Sequence, residues 1–279
     1  MEHPGIITLT TDFGLSDPYV GMMKGVILSI NPEARVVDIS HMVKAGDIPH
    51  AARLIQDTFK YFPKGALHVG VVDPGVGGPR RPILVHIRDH CFIGPDNGLF
   101  WPLISSHKHV DIIHLTEDKY FLPRVSRTFH GRDIFAPVAA HLSRGTDPLE
   151  MGPVVHDPVK LRMPVAEQHG NILCGQVIHV DHFGNIITNI HRQDLDIYVG
   201  TNAPAIRIGG LVINKVYGTY ADAEKGKVIA LIGSSECLEI AVNLGRACDQ
   251  LGVDLKDLIG MRVEVEKRDI HPLSDSDLR

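Results

Sequence analysis

Apolar residues recur along the first half of the chain in two alternating styles, each predicting a different element. Short, nearly continuous runs read as buried strands: GIITLTTDF (5–13), ARVVDIS (34–40), GALHVGVVD (65–73), PILVHIR (82–88) and HCFIGPD (90–96). Between and after them, apolar positions spaced three and four apart predict helices. These are PYVGMMKGVILSINP (18–32), stopped by Asn31-Pro32; DIPHAARLIQDTFKYFP (47–63), with Asp47 as its cap; and DIFAPVAAHLSRG (133–145), closed by Gly145. Strands alternating with helices predict an α/β sandwich around a largely parallel sheet.

The pattern changes after LRMPVAEQHG (161–170). From there the runs are short and strand-like: NILCGQVIHVD, NIITNI, AIRIGGLVINKVYG, KVIALIGSS, LEIAV and MRVEVEK, with one short helix expected near LGRACDQLG (244–252). A smaller C-terminal β-barrel-like domain fits. We therefore expect an N-terminal α/β domain over 1–164 and a C-terminal β-barrel domain over 165–279, with a mobile tail at HPLSDSDLR (271–279).

Composition changes this picture little but excludes several functions. The 279 residues are 44% hydrophobic with a net charge of −5, so bulk nucleic-acid binding, which needs basic surface, is not expected. No run approaches the roughly 20 apolar residues of a membrane span. The start MEHPGIITLTTDFG lacks a basic-then-apolar leader, so a cytoplasmic protein is expected. Cys91, Cys174, Cys237 and Cys248 form no CxxC pair and read as thiols. No HExxH occurs among the 17 histidines, and no metal site is expected. The glycines of VVDPGVGGPRR are not followed by Lys-Ser/Thr, and no GxSxG elbow is present, which argues against triphosphate binding and a serine hydrolase.

Open α/β sheets bind ligands beyond the carboxyl ends of their strands. Those ends carry Asp12 in TTDFG, Asp73 in VVDPGVG, and Asp96 and Asn97 in GPDNG, while His130, Arg132 and Asp133 in TFHGRD precede a helix. Each also has an ordinary structural reading. An Asp before Pro-Gly is a turn residue, PDNG is turn chemistry, and Asp133 is placed to cap its helix. The gathering of acids, an arginine pair and a histidine at one sheet edge is what favours a site. Adjacent residues of an extended segment face opposite ways, so only one of Arg80 and Arg81 is expected to reach it. In the second half, Asp181, Phe183 and Asn185 of VDHFGN suit a flat heterocycle, the ring stacking while the amide pairs with its edge. The alternative there is a hairpin with Phe183 in the core. Ser234 and Ser235 of GSSECLEIAVN offer donors for a carboxylate, or an ordinary loop.

Taken together and in order, TTDFG, VVDPGVGGPRR, GPDNG, TFHGRD, VDHFGNIITNI and GSSECLEIAVN resemble the S-adenosyl-L-methionine (SAM) hydrolase family, the SAM hydroxide adenosyltransferases, relatives of the SAM-dependent fluorinase and chlorinase. The resemblance runs from residue 6 to about 265. It implies a homotrimer with sites between subunits. It also implies splitting of SAM, the substrate, into adenosine and L-methionine by water attack at the ribose C5′, with no cofactor. The water-activating Asp-Arg-His triad of the family maps onto Asp73, Arg80 and His130. By the same resemblance Asp12 binds the ribose hydroxyls and Asp17 the methionine amino group. Asn185 and Phe183 hold the adenine with Tyr220 of TYADA stacking, and Asp181 and Ser234 contact the amino-acid portion.

The halogenase branch has a tyrosine where this chain has Asp73 and a serine where it has Gly131. The fluorinase also has an extra loop before its PNNG motif, for which ILVHIRDHCFIGPDNG leaves no room. A carboxylate at position 73 repels a halide and hydrogen-bonds a water, an independent reason to expect water as nucleophile. A SAM-dependent halogenase, a non-catalytic adenosine- or SAM-binding module and a metal-dependent hydrolase are the competing readings.

Overall fold

The structure, a computed structural model, describes residues 5–268; the tail expected to be mobile, 271–279, lies outside the described residues. The chain divides between Arg162 and Met163 into two compact units. The first contains β1 (Ile6–Thr11), α1 (Tyr19–Ile30), β2 (Arg35–Ser40), α2 (Ile48–Thr58), β3 (Leu67–Val71), β4 (Pro82–Ile87), β5 (His90–Pro95), α3 (Trp101–Ser106), β6 (Val110–His114) and α4 (Ala136–Ser143). Its six strands form one sheet in the order β2-β1-β3-β5-β4-β6. The β1–β2, β1–β3 and β3–β5 pairs are parallel, and β4 runs antiparallel to both β5 and β6.

Helices cover both faces of this sheet, which is why β1 and β3 are buried almost end to end, Thr8, Thr10, Thr11 and His68 included. On one face α1 and α4 pack Val20, Met23, Ile27, Val138 and Leu142 against Ile7, Leu9, Leu67 and Val69. On the other, α2 and α3 place Ala51, Ala52, Ile55 and Leu103 against Val85, Ile87 and Phe92. Helix α2 begins as its sequence predicts, with the Asp47 carboxylate accepting the His50 N–H at 3.1 Å and Pro49 in the first turn. Two elements, α3 and β6, were not read from the sequence; α3, at six residues, is too short to display a helical period.

The antiparallel run of β4 decides where the chemistry falls. Because Pro82 pairs with Pro95, β4 begins where the neighbouring parallel strands end. Arg80 and Arg81, immediately before it, therefore reach the same sheet edge as Asp12 after β1 and Asp73 after β3.

The second unit contains β7 (Glu167–His169), β8 (Ile172–Val180), β9 (Ile186–His191), α5 (Arg192–Val199), β10 (Ala203–Ile208), β11 (Leu211–Ile213), β12 (Val216–Tyr217), β13 (Val228–Ile232), β14 (Cys237–Val242), α6 (Leu255–Leu258) and β15 (Arg262–Arg268). The order β11-β10-β15-β8-β9-β14-β13-β12, with β7 beside β8 and β11 lying against β13, makes a nearly closed barrel-like sheet. Val177, Ile186, Ile190, Ile206, Leu238, Ile240, Val263 and Val265 fill it. The helix expected at 244–252 is reduced to one 3-10 turn, Cys248–Leu251, stopped by Gly252 in the left-handed region at φ 62°. Helix α5 instead follows β9 directly.

Candidate active site

The loop after β3 and the loop before α4 meet at the sheet edge through a glycine. Gly77 has φ +75°, and a β-carbon on it would lie 2.1 Å from the Arg127 carbonyl oxygen. Only glycine permits both the turn and this approach, which brings Asp73 and Arg80 against the segment carrying His130. Gly131 is similarly confined: a β-carbon there would stand 3.3 Å from Met23 Sδ and from the Phe129 ring.

Arg80 joins the three side chains. Its Nε lies 3.1 and 3.0 Å from the two Asp73 carboxylate oxygens, and its Nη2 donates to Asp73 Oδ2 and, at 2.7 Å, to His130 Nδ1. The Arg80 and Asp73 side chains are 9% and 4% exposed, so solvent screens the pair little. A guanidinium has only donors; His130 therefore accepts at Nδ1 and carries its proton on Nε2. Burial first, and then the Arg80 charge, push the His130 pKa below its ordinary value, which keeps the ring neutral. The guanidinium carbon also stands 5.5 Å from the centre of the Phe135 ring.

Asp73 and His130 line a cavity of about 340 Å³ together with Asp12, Phe13, Phe129 and Gly131; Arg80 is not part of its wall. Asp12 is held there by the Gly46 N–H, 2.9 Å from its Oδ2. Phe129 packs edge to face on both Phe13 and Tyr19, which are tilted against each other, with centroids 5.4–5.8 Å apart. These aromatics were not singled out from sequence, though Phe13 and Phe129 stand beside the charged residues of TTDFG and TFHGRD. Asp17 does not join the cavity wall; it is exposed, 3.5 Å from Ser16 Oγ.

Neighbouring residues at this edge serve the scaffold. Arg81 turns away from Arg80, binding Asp96 Oδ2 at 2.9 and 2.6 Å and Asp157 at 2.7 Å. Buried Asp96 also accepts the Val159 N–H at 2.8 Å, while Asn97 donates to the Val72 carbonyl. Asp133 does not cap α4 as expected. It sits inside a π-turn, Gly131–Phe135, that precedes that helix, and its fully buried carboxylate accepts from Ser126 N–H at 2.8 Å and Arg132 Nε at 2.6 Å. Burial alone would raise its pKa; the bonds from Arg132 and Ser126 outweigh that and hold it below the usual carboxylate range. Asp133 thus pins the loop that presents His130.

In the second unit, Asp181 and Asn185 bracket the β8–β9 hairpin. The Asp181 carboxylate accepts the Asn185 N–H at 2.8 Å and its side-chain amide at 3.0 Å, which leaves the Asn185 carbonyl oxygen for a ligand donor. Phe183 sits at the hairpin tip, 71% exposed rather than in the core. Tyr220 is half-exposed, and its hydroxyl donates to Glu239 Oε1 at 2.6 Å. Ser234 lies exposed in the β13–β14 turn. Sequence reasoning passed over Glu239; its signal was a single acid within the apolar run LEIAV.

Among the described residues no cluster of three or more His, Cys, Asp or Glu side chains could hold a metal ion, and no helix is long and apolar enough to cross a membrane. Residues 7–152 match the SAM hydroxide adenosyltransferase N-terminal domain, and residues 175–260 the C-terminal domain of the same family. The protein from Salinispora arenicola named (R)-S-adenosyl-L-methionine hydrolase is 37% identical over 254 residues, covering 88% of this chain and 94% of its own. A protein of the same name from Methanocaldococcus jannaschii is 38% identical over 267 residues, covering 91% and 94%. Proteins named fluorinase match at 28% identity or below. The crystal structure of an uncharacterized conserved protein from Thermotoga maritima superposes with a TM-score of 0.84 at 35% identity, covering 93% of this chain and 99% of that one. With both domains matched and such relatives spanning most of its length, the chain belongs to the SAM hydroxide adenosyltransferase family.

Proposed function

We propose that this protein hydrolyses SAM to adenosine and L-methionine, a water oxygen attacking the ribose C5′. The carbon–sulfur bond breaks, sulfur keeps the electron pair and leaves as the neutral thioether of methionine, and the water proton passes to the protein. The observation that carries the reading is the Asp73–Arg80–His130 cluster, its ion pair buried, with Asp73 and His130 in the cavity wall and Arg80 outside it.

The sulfonium is already a good leaving group, so the protein must improve the nucleophile. Bulk water has a pKa of about 15.7. Holding one water in line behind C5′ supplies part of the barrier; well-oriented intramolecular systems recover about 7–11 kcal/mol. A positioned base adds roughly 10²–10⁴-fold. In this reading Asp73 is that base: it lines the cavity, and its oxygens have lone pairs beyond those used by Arg80. His130 accepts from Arg80 at Nδ1, so it steadies the guanidinium instead of taking the proton at that nitrogen. Arg80 favours negative charge developing on the attacking oxygen. A halide would meet the carboxylate end of the pair, which supports water over chloride.

Asp12 is assigned to the ribose hydroxyls, Asn185, Phe183 and Tyr220 to adenine, and Asp181, Ser234 and Asp17 to the methionine portion. The Asn185 amide, turned by Asp181, presents an acceptor suited to the adenine amino group. A homotrimer with sites between subunits, a cytoplasmic location and catalysis without a cofactor complete the proposal; the molar mass from light scattering tests the first.

The activity is tested by incubating the protein with SAM in ¹⁸O-water, with and without chloride, and with chelator. We expect adenosine carrying ¹⁸O at its 5′-hydroxyl plus unlabelled methionine in every case. 5′-Chloroadenosine would make it a halogenase, intact SAM a binding module, and loss of turnover with chelator a metal enzyme.

A further inference from the structure

Glu239 is a carboxyl group in the wrong place for a sheet to want one. It lies on β14 among Leu238, Ile240, Ala241 and Val242, is 7% exposed, and forms no ion pair among the described residues. Burial pushes its pKa up and the nearby Asp181 charge adds to that, against the Tyr220 hydrogen bond, which lowers it. Burying a carboxyl without a cation is costly, and Glu239 lies on the face of β14 opposite Leu238, Ile240 and Val242, which fill the barrel. Gly233 is part of the same arrangement: a β-carbon there would stand 2.4 Å from Glu239 Oε2 and displace it.

What Glu239 touches is the phenol of Tyr220, at 2.6 Å. The Tyr220 backbone is fixed separately. Its one-turn 3-10 helix, Tyr220–Asp222, begins in a capping box in which the Asp222 carboxylate accepts the Gly218 and Thr219 N–H groups, each at 3.0 Å. With the backbone held at one end and the hydroxyl at the other, both side-chain torsions are set while the residue stays 41% exposed. A rigid, exposed aromatic ring loses little freedom when a flat ligand stacks on it.

We propose that Glu239 is a positioning residue for nucleoside binding: through the phenol hydroxyl it holds the Tyr220 ring in the orientation that stacks on the base. This rests on the assignment of Tyr220 to adenine above. The test compares Tyr220→Ala, Tyr220→Phe, Glu239→Leu, Glu239→Gln and the Tyr220→Phe/Glu239→Leu double variant in the full chain. The readouts are adenosine affinity by calorimetry, kcat and KM for SAM, and melting temperature.

Loss of one hydrogen bond to a carboxyl group should weaken adenosine binding and raise KM about tenfold in Tyr220→Phe and in Glu239→Leu, with kcat changed less than about twofold. The double variant should be no weaker than either single one. Glu239→Gln, which keeps an acceptor, should recover most of the affinity. If Tyr220→Ala binds adenosine as the wild type does, the adenine assignment and this proposal fall together. If Tyr220→Ala weakens binding but Tyr220→Phe does not, or if the single effects add in the double variant, the positioning role alone is wrong. Should Glu239→Leu not fold, Tyr220→Phe against Tyr220→Ala still decides it.

Discussion

Replacing Arg80 by lysine keeps its charge and removes its shape. In the wild type one planar guanidinium meets both oxygens of Asp73 through Nε, and Asp73 and His130 together through Nη2. A single ammonium on a flexible stem cannot satisfy the carboxylate and the ring at once. Both partners of the ion pair are less than 10% exposed, so the change should cost about 1.5–3 kcal/mol of stability, the worth of a hydrogen bond to a charged group. The catalytic cost should be larger than that figure implies. Releasing Asp73 and His130 from a common anchor lets the carboxylate move off the line of attack, and a displacement of about 1 Å typically costs roughly 10²-fold in rate. Arg81→Lys is the matched control. It sits next in sequence but binds Asp96 and Asp157, so it should lose stability at its buried partner Asp96 and keep kcat within about twofold. The assay is adenosine release from SAM by chromatography, run beside thermal melts of both variants. Equal losses of kcat from the two substitutions, or an Arg80→Lys variant at wild-type turnover, would refute the reasoning.

Other outcomes follow from the same geometry. His68 is buried between Phe92 and His90, with Thr8 Oγ1 at 2.9 Å from its Nδ1, and burial first and the His90 charge second lower its pKa from 6.5 to about 3. The unfolded chain therefore binds the extra proton below pH 6.5, and stability is lost as pH falls from there toward 3; between pH 7 and pH 5 this group alone should cost ~2 kcal/mol. Urea midpoints at the two pH values should show that loss in the wild type and much less of it in His68→Leu; parallel losses would contradict the assignment. Gly77→Ala forces a β-carbon onto the Arg127 carbonyl and should separate the two site loops, lowering kcat more than about tenfold, whereas unchanged kcat would mean the loops can part without harm. Asp133→Asn removes a charge held by Arg132 and Ser126 and should cost about 1.5–3 kcal/mol at pH 7. Because the folded-state pKa of Asp133 is lowered, the wild-type advantage should be full above pH 3.8 and shrink as pH falls through the folded value; an advantage that grows on acidification would be wrong in sign.

How much of this was legible beforehand depended on whether the relevant partner was near in sequence. Strands β1 and β3 announced themselves because a sheet covered on both faces needs continuous apolar runs, and Asp47 announced α2 because a cap acts on an amide three residues away. Alternation along the chain predicts that Arg80 and Arg81 face different ways, and they do bind different partners, but it names neither partner. That required knowing that β4 runs antiparallel and starts at the carboxyl edge of its neighbours. Asp133 looked like a helix cap because local spacing says nothing of Ser126, which reaches it only after the loop folds back. Glu239 was missed for a similar reason: its partner, Tyr220, arrives from another part of the barrel-like unit. For Phe183 the sequence left two readings, a ring free to stack on a heterocycle or a hairpin with the ring in the core, because an aromatic in a short turn satisfies either; the structure has the hairpin with the ring exposed.

The central claim is that the Asp73 carboxylate, at the cavity wall and anchored by Arg80, orients the attacking water and receives its proton. Asp73→Asn tests it most directly, since the amide keeps the volume and one acceptor oxygen while losing the charge and the basicity. In single-turnover experiments with saturating SAM, adenosine formation should slow by roughly 10²–10⁴-fold while adenosine affinity stays near the wild-type value. An asparagine variant that formed adenosine at the wild-type rate would contradict the account.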